Sequence, residues 1–286
     1  MKALYLYSNK TGLKRTIKKD LWIIDSLRKI YDDLTIFKTE NIEDFEEKIR
    51  ESAGIFDVLV VAGGDGTLKA TVNILMSIEK DKRPVLGYLP TGTINDAGKA
   101  VGITGSIKKA FKILKIGHVE NVDVCKVNDE YFNFVCAVGA YSDISYATRR
   151  SKKKIIGKFA YYFDAIPRIF KRKTLDAVVD ADGEILKVKT PFILVMNSKN
   201  VGGFPINFHY SVKDGMVEIF ITKPGIFNGL LHYLFFKIRV IKLRAKNVKI
   251  SINSNDFWCF DGEKGTQGSV NISVLKEELK VIGKAK

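Results

Sequence analysis

The spacing of apolar residues changes near residue 121. Before that point, short apolar runs alternate with longer segments in which apolar residues recur at helical spacing. The pattern predicts strands at residues 3–7, 34–37, 57–62 and 84–89, and helices at residues 17–31, 42–52, 68–78 and 95–101. Repeated strand–helix units are typical of a doubly wound parallel sheet, so we predict an α/β domain at residues 1–121.

Beyond residue 121, short β-type runs predominate, separated by turn signals such as Asn128-Asp129, Asp182-Gly183 and Asp214-Gly215. The runs lie at residues 122–127, 131–138, 175–180, 185–188, 192–196, 216–221, 248–252, 270–274 and 279–282. Helical segments at residues 155–170 and 226–240 interrupt the series. This pattern predicts a β-sandwich domain at residues 122–286, whose last few residues are free to pack back on the first domain.

Positive charge is concentrated in two segments of the chain. The 286 residues include 47 Lys and Arg against 32 Asp and Glu, a net charge of +15 at pH 7. Residues 149–173 carry a net charge of +9 and residues 223–249 a net charge of +7, so the remainder is close to neutral. Such concentration favours a polyanionic partner, either nucleic acid or the anionic face of a membrane.

The sequence lacks the patterns of secreted, disulfide-linked or membrane-spanning chains. The N-terminal apolar run is too short for a signal peptide, and the most apolar stretch, residues 226–241, is too short to span a bilayer. Cys125, Cys136 and Cys259 are odd in number and lack metal-ligand spacing, which indicates buried thiols in a reducing compartment. We therefore expect a cytoplasmic protein.

A glycine cluster follows the third predicted strand and precedes a helix. It is Gly63-Gly64-Asp65-Gly66-Thr67. Three glycines in four positions leave the backbone bare, so its N–H groups and the positive end of the helix can approach a phosphate. A tight strand–helix turn is the alternative, but the cluster also contains a hydroxyl and a carboxylate. Because ligands bind at this edge of open α/β sheets, the cluster predicts a phosphate site.

A second polar loop, residues 90–96, follows the fourth predicted strand. Asn95 or Asp96 could simply cap the following helix. Two polar loops at the same edge of one sheet favour a nucleotide cleft instead. Residues 8–15 follow the first strand and would bring cations and a hydroxyl to the same edge. Neither a P-loop motif nor a G-x-G-x-x-G motif occurs in the chain.

These motifs resemble the diacylglycerol kinase catalytic family, which includes sphingosine and ceramide kinases. The match begins with GGDGT at residues 63–67 and the family's GTxND at residues 92–96. It continues with a GKLAY-like stretch at 157–161, an N…GG…DG run from Asn197 to Gly215, and DGE at 261–263. NAD kinases share GGDGT alone, whereas the ordered set is specific and covers nearly the whole chain.

The resemblance implies an NAD-kinase-like α/β domain that binds ATP with Mg²⁺. The implied nucleotide residues are Thr11, Gly12, Thr39, Gly63, Gly64, Asp65, Gly66, Thr67, Leu68, Lys69, Thr93, Asn95 and Asp96. It also implies a structural divalent ion near Ser211, Asp214 and Met216, held by the Asp214 carboxylate and two main-chain carbonyls. The opening motif of the family is altered: Gly12 aligns, but Ser8 and Asn9 stand where Asn and Pro are usual.

Phosphoryl transfer requires a group that takes the proton of the acceptor hydroxyl. We expect Asp261 and Glu263 to project together from the turn after the strand-like residues 256–260. Glu263 is the preferred general base, with Asp261 orienting it or a metal. Asp65 is the rival base, or a ligand of the catalytic Mg²⁺.

The implied acceptor is a membrane lipid, diacylglycerol or a related lipid, at the inner face of the membrane. The cluster at residues 149–154, with five cations in six residues, must be largely exposed and suits an anionic surface. The apolar face of residues 226–240 suits either a membrane or the sandwich core. NAD kinase is the alternative enzyme. A non-enzymatic protein that binds nucleic acid or membranes would explain the charge but not the glycine cluster at residues 63–67 or the DGE at 261–263. We expect no nucleic-acid partner and leave a homodimer open.

Overall fold

The computed structural model describes residues 1–8, 17–92, 95–139, 174–201, 204–207, 211–224 and 240–284. The chain divides into two compact units, residues 1–124 with 276–286, and residues 125–275. The predicted helix at 155–170 lies outside the described residues, as does that at 226–240 except for its last residue. The assignment of nucleotide binding and lipid binding to two domains stays a prediction.

The first unit is a parallel sheet with helices on both faces. Its elements are β1 (Lys2–Ser8), α1 (Ile17–Arg28), β2 (Asp33–Thr39), α2 (Ile42–Glu51), β3 (Val58–Gly63), α3 (Asp65–Met76), β4 (Val85–Pro90), α4 (Asp96–Ala100), α5 (Ile107–Ile116) and the start of β5 (Val119–Val127). A short 3₁₀ helix spans Lys80–Lys82. The parallel strand order is β2-β1-β3-β4, and Val281 near the C-terminus pairs in parallel with Leu86 of β4.

Both faces of this sheet are buried, as the continuous apolar run of β3 requires. One set of alternating strand residues, including Tyr5 and Val60, shares a core cluster with Ile23 of α1 and Ile113 of α5. Helices α1 and α5 therefore cover the same face. The intervening strand residues are buried on the other face, where α2 packs against α3 and α3 packs on β3.

The second unit consists of antiparallel strands. They are the end of β5, β6 (Glu130–Phe132), β7 (Val135–Gly139), β8 (Leu175–Ala181), β9 (Glu184–Thr190), β10 (Phe192–Met196), β11 (Asn200–Val201), β12 (Phe204–Pro205), β13 (Val217–Thr222), β14 (Val240–Ala245), β15 (Asn247–Ile252), β16 (Phe257–Phe260), β17 (Glu263–Gln267) and the start of β18 (Val270–Ile282).

Two sheets of the second unit share one core. One has the order β18-β15-β8-β9, and the other has the order β14-β13-β10-β7-β16-β17. Val179 and Ile250 of the first sheet lie in the same buried cluster as Val138, Ile193 and Trp258 of the second. Packing of two sheets through their inner faces is a β-sandwich. The fold class predicted from the sequence, an α/β domain followed by a sandwich, is confirmed.

Several element boundaries differ from the prediction. The run at residues 131–138 breaks at Asn133 and Phe134 into β6 and β7. The runs at 270–274 and 279–282 form the single strand β18, in which Glu277 has a positive φ of 51°. Helix α5 and strands β14 and β17 were not predicted, because their exposed lysines and glutamates interrupt the apolar pattern. No helix within the described ranges is long and apolar enough to cross a bilayer.

Candidate active site

The two glycine-rich loops of the first unit touch through their backbones. A Cβ built on Gly92 would lie 2.5 Å from the Cα of Gly64, and one built on Gly64 would lie 3.3 Å from the Cα of Gly92. The main-chain N–H groups of Thr91 and Gly92 both donate to the carbonyl of Gly63, at 2.9 and 3.1 Å. The loops after β3 and β4 therefore form one structure, as their place at one sheet edge suggested.

Helix α3 begins at Asp65, directly after Gly64, which caps it without a side chain. The first N–H groups of a helix have no intrahelical partner. Leu68 is the first residue of α3 whose N–H bonds back, to the Gly64 carbonyl at 3.1 Å. Within the described chain, the N–H groups of Asp65, Gly66 and Thr67 have no such bond. Three unused donors and the positive helix end make a site for an anion.

The carboxylate of Asp65 joins the two loops. Its two oxygens accept hydrogen bonds from the main-chain N–H groups of Asn95, at 3.1 Å, and Ala97, at 2.9 Å. Burial raises the pKa of Asp65 to about 6, and the neighbouring Asp96 carboxylate adds to this shift. Asp96 itself is buried and forms an ion pair with Lys99 at 2.8 Å. Asp65 thus supports both loops through its two oxygens.

Asn95 holds the second loop in shape. It adopts a left-handed conformation with φ 55°, and its side chain both accepts from the Gly92 N–H at 3.0 Å and donates to the Gly92 carbonyl at 2.9 Å. The hydroxyl of Tyr88 donates to the Gly63 carbonyl at 2.9 Å. Sequence reasoning missed Tyr88, because a tyrosine within a buried strand resembles any other core residue.

The remaining predicted nucleotide residues differ in exposure. Thr39 is buried at the end of β2, and its hydroxyl donates to the Tyr7 carbonyl at 3.4 Å. Leu68 is fully buried in the core, so only its main chain can approach a ligand, whereas Lys69 is buried in the first turns of α3. Thr91 was not predicted, yet its buried hydroxyl has no hydrogen-bond partner beside the loops. Thr11, Gly12 and Thr93 lie outside the described residues.

The turn between β16 and β17 separates the two carboxylates that the sequence placed together. Asp261 is buried with φ 53°, and it accepts main-chain hydrogen bonds from Asn133 (2.6 Å), Phe134 (3.0 Å) and Val135 (3.0 Å). The expectation that both side chains project from the turn is therefore wrong for Asp261. Glu263 opens β17 opposite Phe260 and is exposed.

The predicted ion site lies beside β13. Asp214 accepts from the Met216 N–H at 3.1 Å and pairs with Arg244 Nη2 at 2.7 Å. Arg244 lies opposite Glu218 across the β13–β14 pair, with its Nε 3.6 Å from Glu218 Oε1. Asn207 Nδ2 donates to the other Glu218 oxygen at 2.6 Å. Two carboxylates therefore share one guanidinium.

A cation fits this arrangement. Glu218 Oε1 is buried and has no hydrogen-bond partner, and burial raises the pKa of Glu218 to about 7. Asp214 and Glu218 would supply carboxylate oxygens, and Ser211 and Met216 main-chain carbonyls, which are the ligands that hard divalent cations prefer. No group of three or more His, Cys, Asp or Glu side chains arranged for a metal occurs in the part of the chain that the structure describes. Glu218 was missed because alternation in β13 marks it only as a polar strand position.

Known proteins match this chain over nearly its full length. Residues 2–127 match the family described as Diacylglycerol kinase catalytic domain. A protein named Diacylglycerol kinase from Staphylococcus aureus strain Newman is 30% identical over 284 residues, covering 96% of this chain and 90% of its own. One of the same name from Staphylococcus saprophyticus is 29% identical, covering 96% of this chain and 92% of its own.

Solved structures agree with the sequence relatives. A crystal structure of a diacylglycerol kinase from Bacillus anthracis str. Sterne superposes with a TM-score of 0.83 and 26% identity, covering 99% of this chain and 97% of its own. The α/β unit with its paired glycine loops, followed by the sandwich, is thus the architecture of a kinase, and this protein is a kinase. The chain belongs to the diacylglycerol kinase family, a family of lipid kinases.

Proposed function

We propose that this kinase transfers the γ-phosphoryl group of ATP to a hydroxyl of a membrane lipid, with diacylglycerol as the acceptor. The observation that carries the proposal is the contact between Gly64 and Gly92 at the unused N–H donors of α3. That cradle suits a polyphosphate, and the names of the relatives indicate the lipid.

The nucleotide phosphates would lie on the main chain of residues 63–67, with Lys69 and Thr39 at the border of the site. Asn95 would act by holding the second loop against the first. Asp65 or Asp96 would hold Mg²⁺, which would neutralise charge that develops during transfer. Both carboxylates already meet a cation or N–H donors: Asp65 accepts from the Ala97 N–H, and Asp96 pairs with Lys99.

Glu263 would take the proton of the acceptor hydroxyl. The hydroxyl oxygen then attacks the γ-phosphorus, the bond to the bridging oxygen breaks, and ADP leaves. Asp261 would serve as a positioning residue, because its bonds to residues 133–135 fix the turn from which Glu263 extends. Because all three of these hydrogen bonds end on its two carboxylate oxygens, Asp261 is held in place for a structural role.

The second unit would also carry a structural divalent ion at Asp214, with Glu218, Ser211 and Met216 as further ligands. A positive charge there would add to the Arg244 ion pair at the Glu218 oxygen that has no hydrogen-bond partner. We further propose that the protein is cytoplasmic and meets its substrate at the inner face of the membrane. The basic cluster at residues 149–154 lies outside the described residues, and a homodimer and the absence of a nucleic-acid partner stay predictions.

Incubation with γ-labelled ATP and Mg²⁺ tests the function. Parallel reactions would contain dispersed diacylglycerol, sphingosine, total bacterial lipid, NAD or buffer alone. We expect label in phosphatidic acid and in the total-lipid reaction, with none above background in the other three. Label in NAD with unlabelled lipid would replace the proposal with an NAD kinase. ATP hydrolysis without any labelled acceptor would also contradict it.

A further inference from the structure

Helices α1 and α5 present one continuous surface of the first unit, which we call the α1–α5 face (residues 17–29 and 106–119). Both helices bury their inner sides in the same core cluster. Their outer parts meet where the Trp22 ring packs edge-on against the Phe111 ring, with centroids 5.1 Å apart. Among the described residues, the hydrogen bonds that join the two glycine loops involve no side chain of this surface, so they do not account for its composition.

The α1–α5 face is strongly basic. Its residues include eight Lys or Arg against Asp20 and Asp25, a net charge of +6, and Asp25 is already paired with Lys29. Helix α5 alone contributes four exposed lysines and no acid, and none of the four forms an ion pair with a described residue. They are Lys108, Lys109, Lys112 and Lys115.

The opposite face of the same sheet has the opposite charge. Helix α2 carries five acidic residues and two basic residues, a net charge of −3. A unit with one positive and one negative face orients itself when it approaches a charged plane, because the two faces experience forces of opposite sign.

Large apolar side chains accompany the lysines on this face. Half of the ten exposed large hydrophobic residues within the described ranges belong to it. They are Ile17 (81% exposed), Leu21 (61%), Trp22 (44%), Ile116 (65%) and Val119 (46%). A concentration of exposed apolar residues on one face favours an interaction site over ordinary surface.

We propose that the α1–α5 face docks on an anionic lipid surface. Lysines contact the headgroups there, while tryptophan and aliphatic side chains enter the boundary between headgroups and acyl chains. Duplex nucleic acid would satisfy the lysines but would leave Leu21 and Ile116 against a phosphate backbone. A second copy of the same face would place one net charge of +6 against another. Anionic lipid is the partner that suits both the lysines and the exposed apolar side chains.

The inference rests on the proposed function only in that the acceptor is a membrane lipid. It adds a contact surface on the first unit itself, beside the role proposed for the basic segment at residues 149–154. Docking through two helices would keep that unit at the surface from which the acceptor comes.

Cosedimentation with vesicles tests the surface. The probes are vesicles of equal parts phosphatidylcholine and phosphatidylglycerol, vesicles of phosphatidylcholine alone, and a duplex oligonucleotide. We expect the parent to prefer the anionic vesicles. Changing Lys108, Lys109, Lys112 and Lys115 to Gln should weaken that binding by about tenfold or more at low salt, and should flatten its salt dependence.

Two further variants separate charge from apolar contact. Changing Lys38, Lys187, Lys189 and Lys280 to Gln removes the same charge from exposed positions elsewhere, and should leave binding close to that of the parent. The double variant Leu21→Gln, Ile116→Gln should bind less tightly but keep the salt dependence of the parent. Circular dichroism and thermal melting would confirm that each variant is folded.

The proposal is overturned if the two four-lysine variants lose affinity equally, or if the α5 variant binds anionic vesicles like the parent. Preference of the parent for the oligonucleotide over the vesicles would also overturn it. Activity on a short-chain, water-dispersed diacylglycerol separates the two proposals. Vesicle binding through this face without lipid phosphorylation would refute the function alone. Lipid phosphorylation with unchanged vesicle binding in the α5 variant would refute the docking surface alone.

Discussion

The carboxylate of Asp65 accepts a hydrogen bond of 3.1 Å from the main-chain N–H of Asn95, thirty residues further along the chain. Through this bond the first turn of α3 holds the loop that follows β4. The bond from the Ala97 N–H to the second oxygen, at 2.9 Å, extends the same connection into α4. Because these bonds hold the two loops together, a phosphate bound between them would meet fixed donors, which lowers the entropic cost of binding.

The close approach of Gly64 to Gly92 predicts that a side chain at residue 64 is incompatible with nucleotide binding. Gly64→Val should weaken ATP binding by at least about tenfold, a loss of about 1.4 kcal/mol, because its methyl groups would enter the cradle. The backbone of Gly64, with φ −100° and ψ −168°, is open to any residue, so the variant should fold. Calorimetric titration measures the affinity. Gly105→Ala in the same unit is the control, since its Cβ would lie 3.1 Å from the flexible end of Lys99 and at an ordinary contact distance of 3.6 Å from the Asn95 carbonyl oxygen. Equal ATP affinity in Gly64→Val would exclude the loop.

The raised pKa of Asp65 predicts a pH-dependent contribution to stability. The folded pKa of about 6 exceeds the ordinary value of 3.8, so the folded state holds a proton more tightly than the unfolded state. The contribution is present below pH 4 and lost as pH rises through 6. Relative to Asp65→Asn, the parent should therefore lose roughly 2 kcal/mol of unfolding free energy between pH 4 and pH 7, after allowance for partial exposure. Urea unfolding at several pH values measures this difference. A constant difference would contradict the prediction.

Because Glu263 is exposed at the start of β17, we expect its replacement to impair catalysis but not ATP binding. Glu263→Gln should retain ATP affinity and thermal stability but reduce turnover by about a hundredfold or more, the usual scale for a missing general base. Labelled-ATP assays with dispersed diacylglycerol measure turnover. If Asp65→Asn were inactive while Glu263→Gln retained full turnover, the role of base would pass to Asp65.

Asp261 should instead act on stability. Its carboxylate accepts three main-chain bonds in a buried turn, and bonds to a charged group contribute about 1.5–3 kcal/mol each. Asp261→Ala should therefore lower the free energy of unfolding by several kcal/mol. Asp129→Ala, at an exposed turn position, is the control and should change it by less than about 0.5 kcal/mol. Similar unfolding free energies for the two variants would show that the three hydrogen bonds to Asp261 contribute little to stability.

Asp214 and Glu218 share the Arg244 guanidinium, and we expect a divalent cation at these carboxylates to stabilise the folded protein. Mg²⁺ or Mn²⁺ without nucleotide should raise the melting temperature of the parent, since a ligand that binds only the folded state stabilises it. Asp214→Asn should remove most of that increase, because it deletes a carboxylate ligand. Asp81→Asn, an exposed residue of the first unit, should retain it. An equal increase in all three proteins would place the ion elsewhere.

Much of the fold could be predicted from local patterns. The continuous apolar run of β3 and the glycines behind it are typical of a buried parallel strand that ends in a tight loop before a helix. Helix α5 escaped prediction because its many lysines dilute the apolar stripe formed by Ala110, Ile113 and Leu114. Strand β17 was not predicted because Glu263 and Lys264 resemble a loop in the sequence. In the structure they pair with Phe260 and Cys259 of β16.

The sequence by itself determined the order of the motifs, the two-part fold and the membership of a kinase family, because each depends on residues that are close along the chain. Only the tertiary structure separated the surroundings of Asp261 and Glu263. These carboxylates lie two positions apart, yet one meets three N–H groups from residues 133–135 and the other faces solvent. The same holds for Glu218 and Arg244, which become partners only through strand pairing. Hydrogen bonds between distant segments leave no periodic signal in a sequence, so their consequences appear only once the chain is folded.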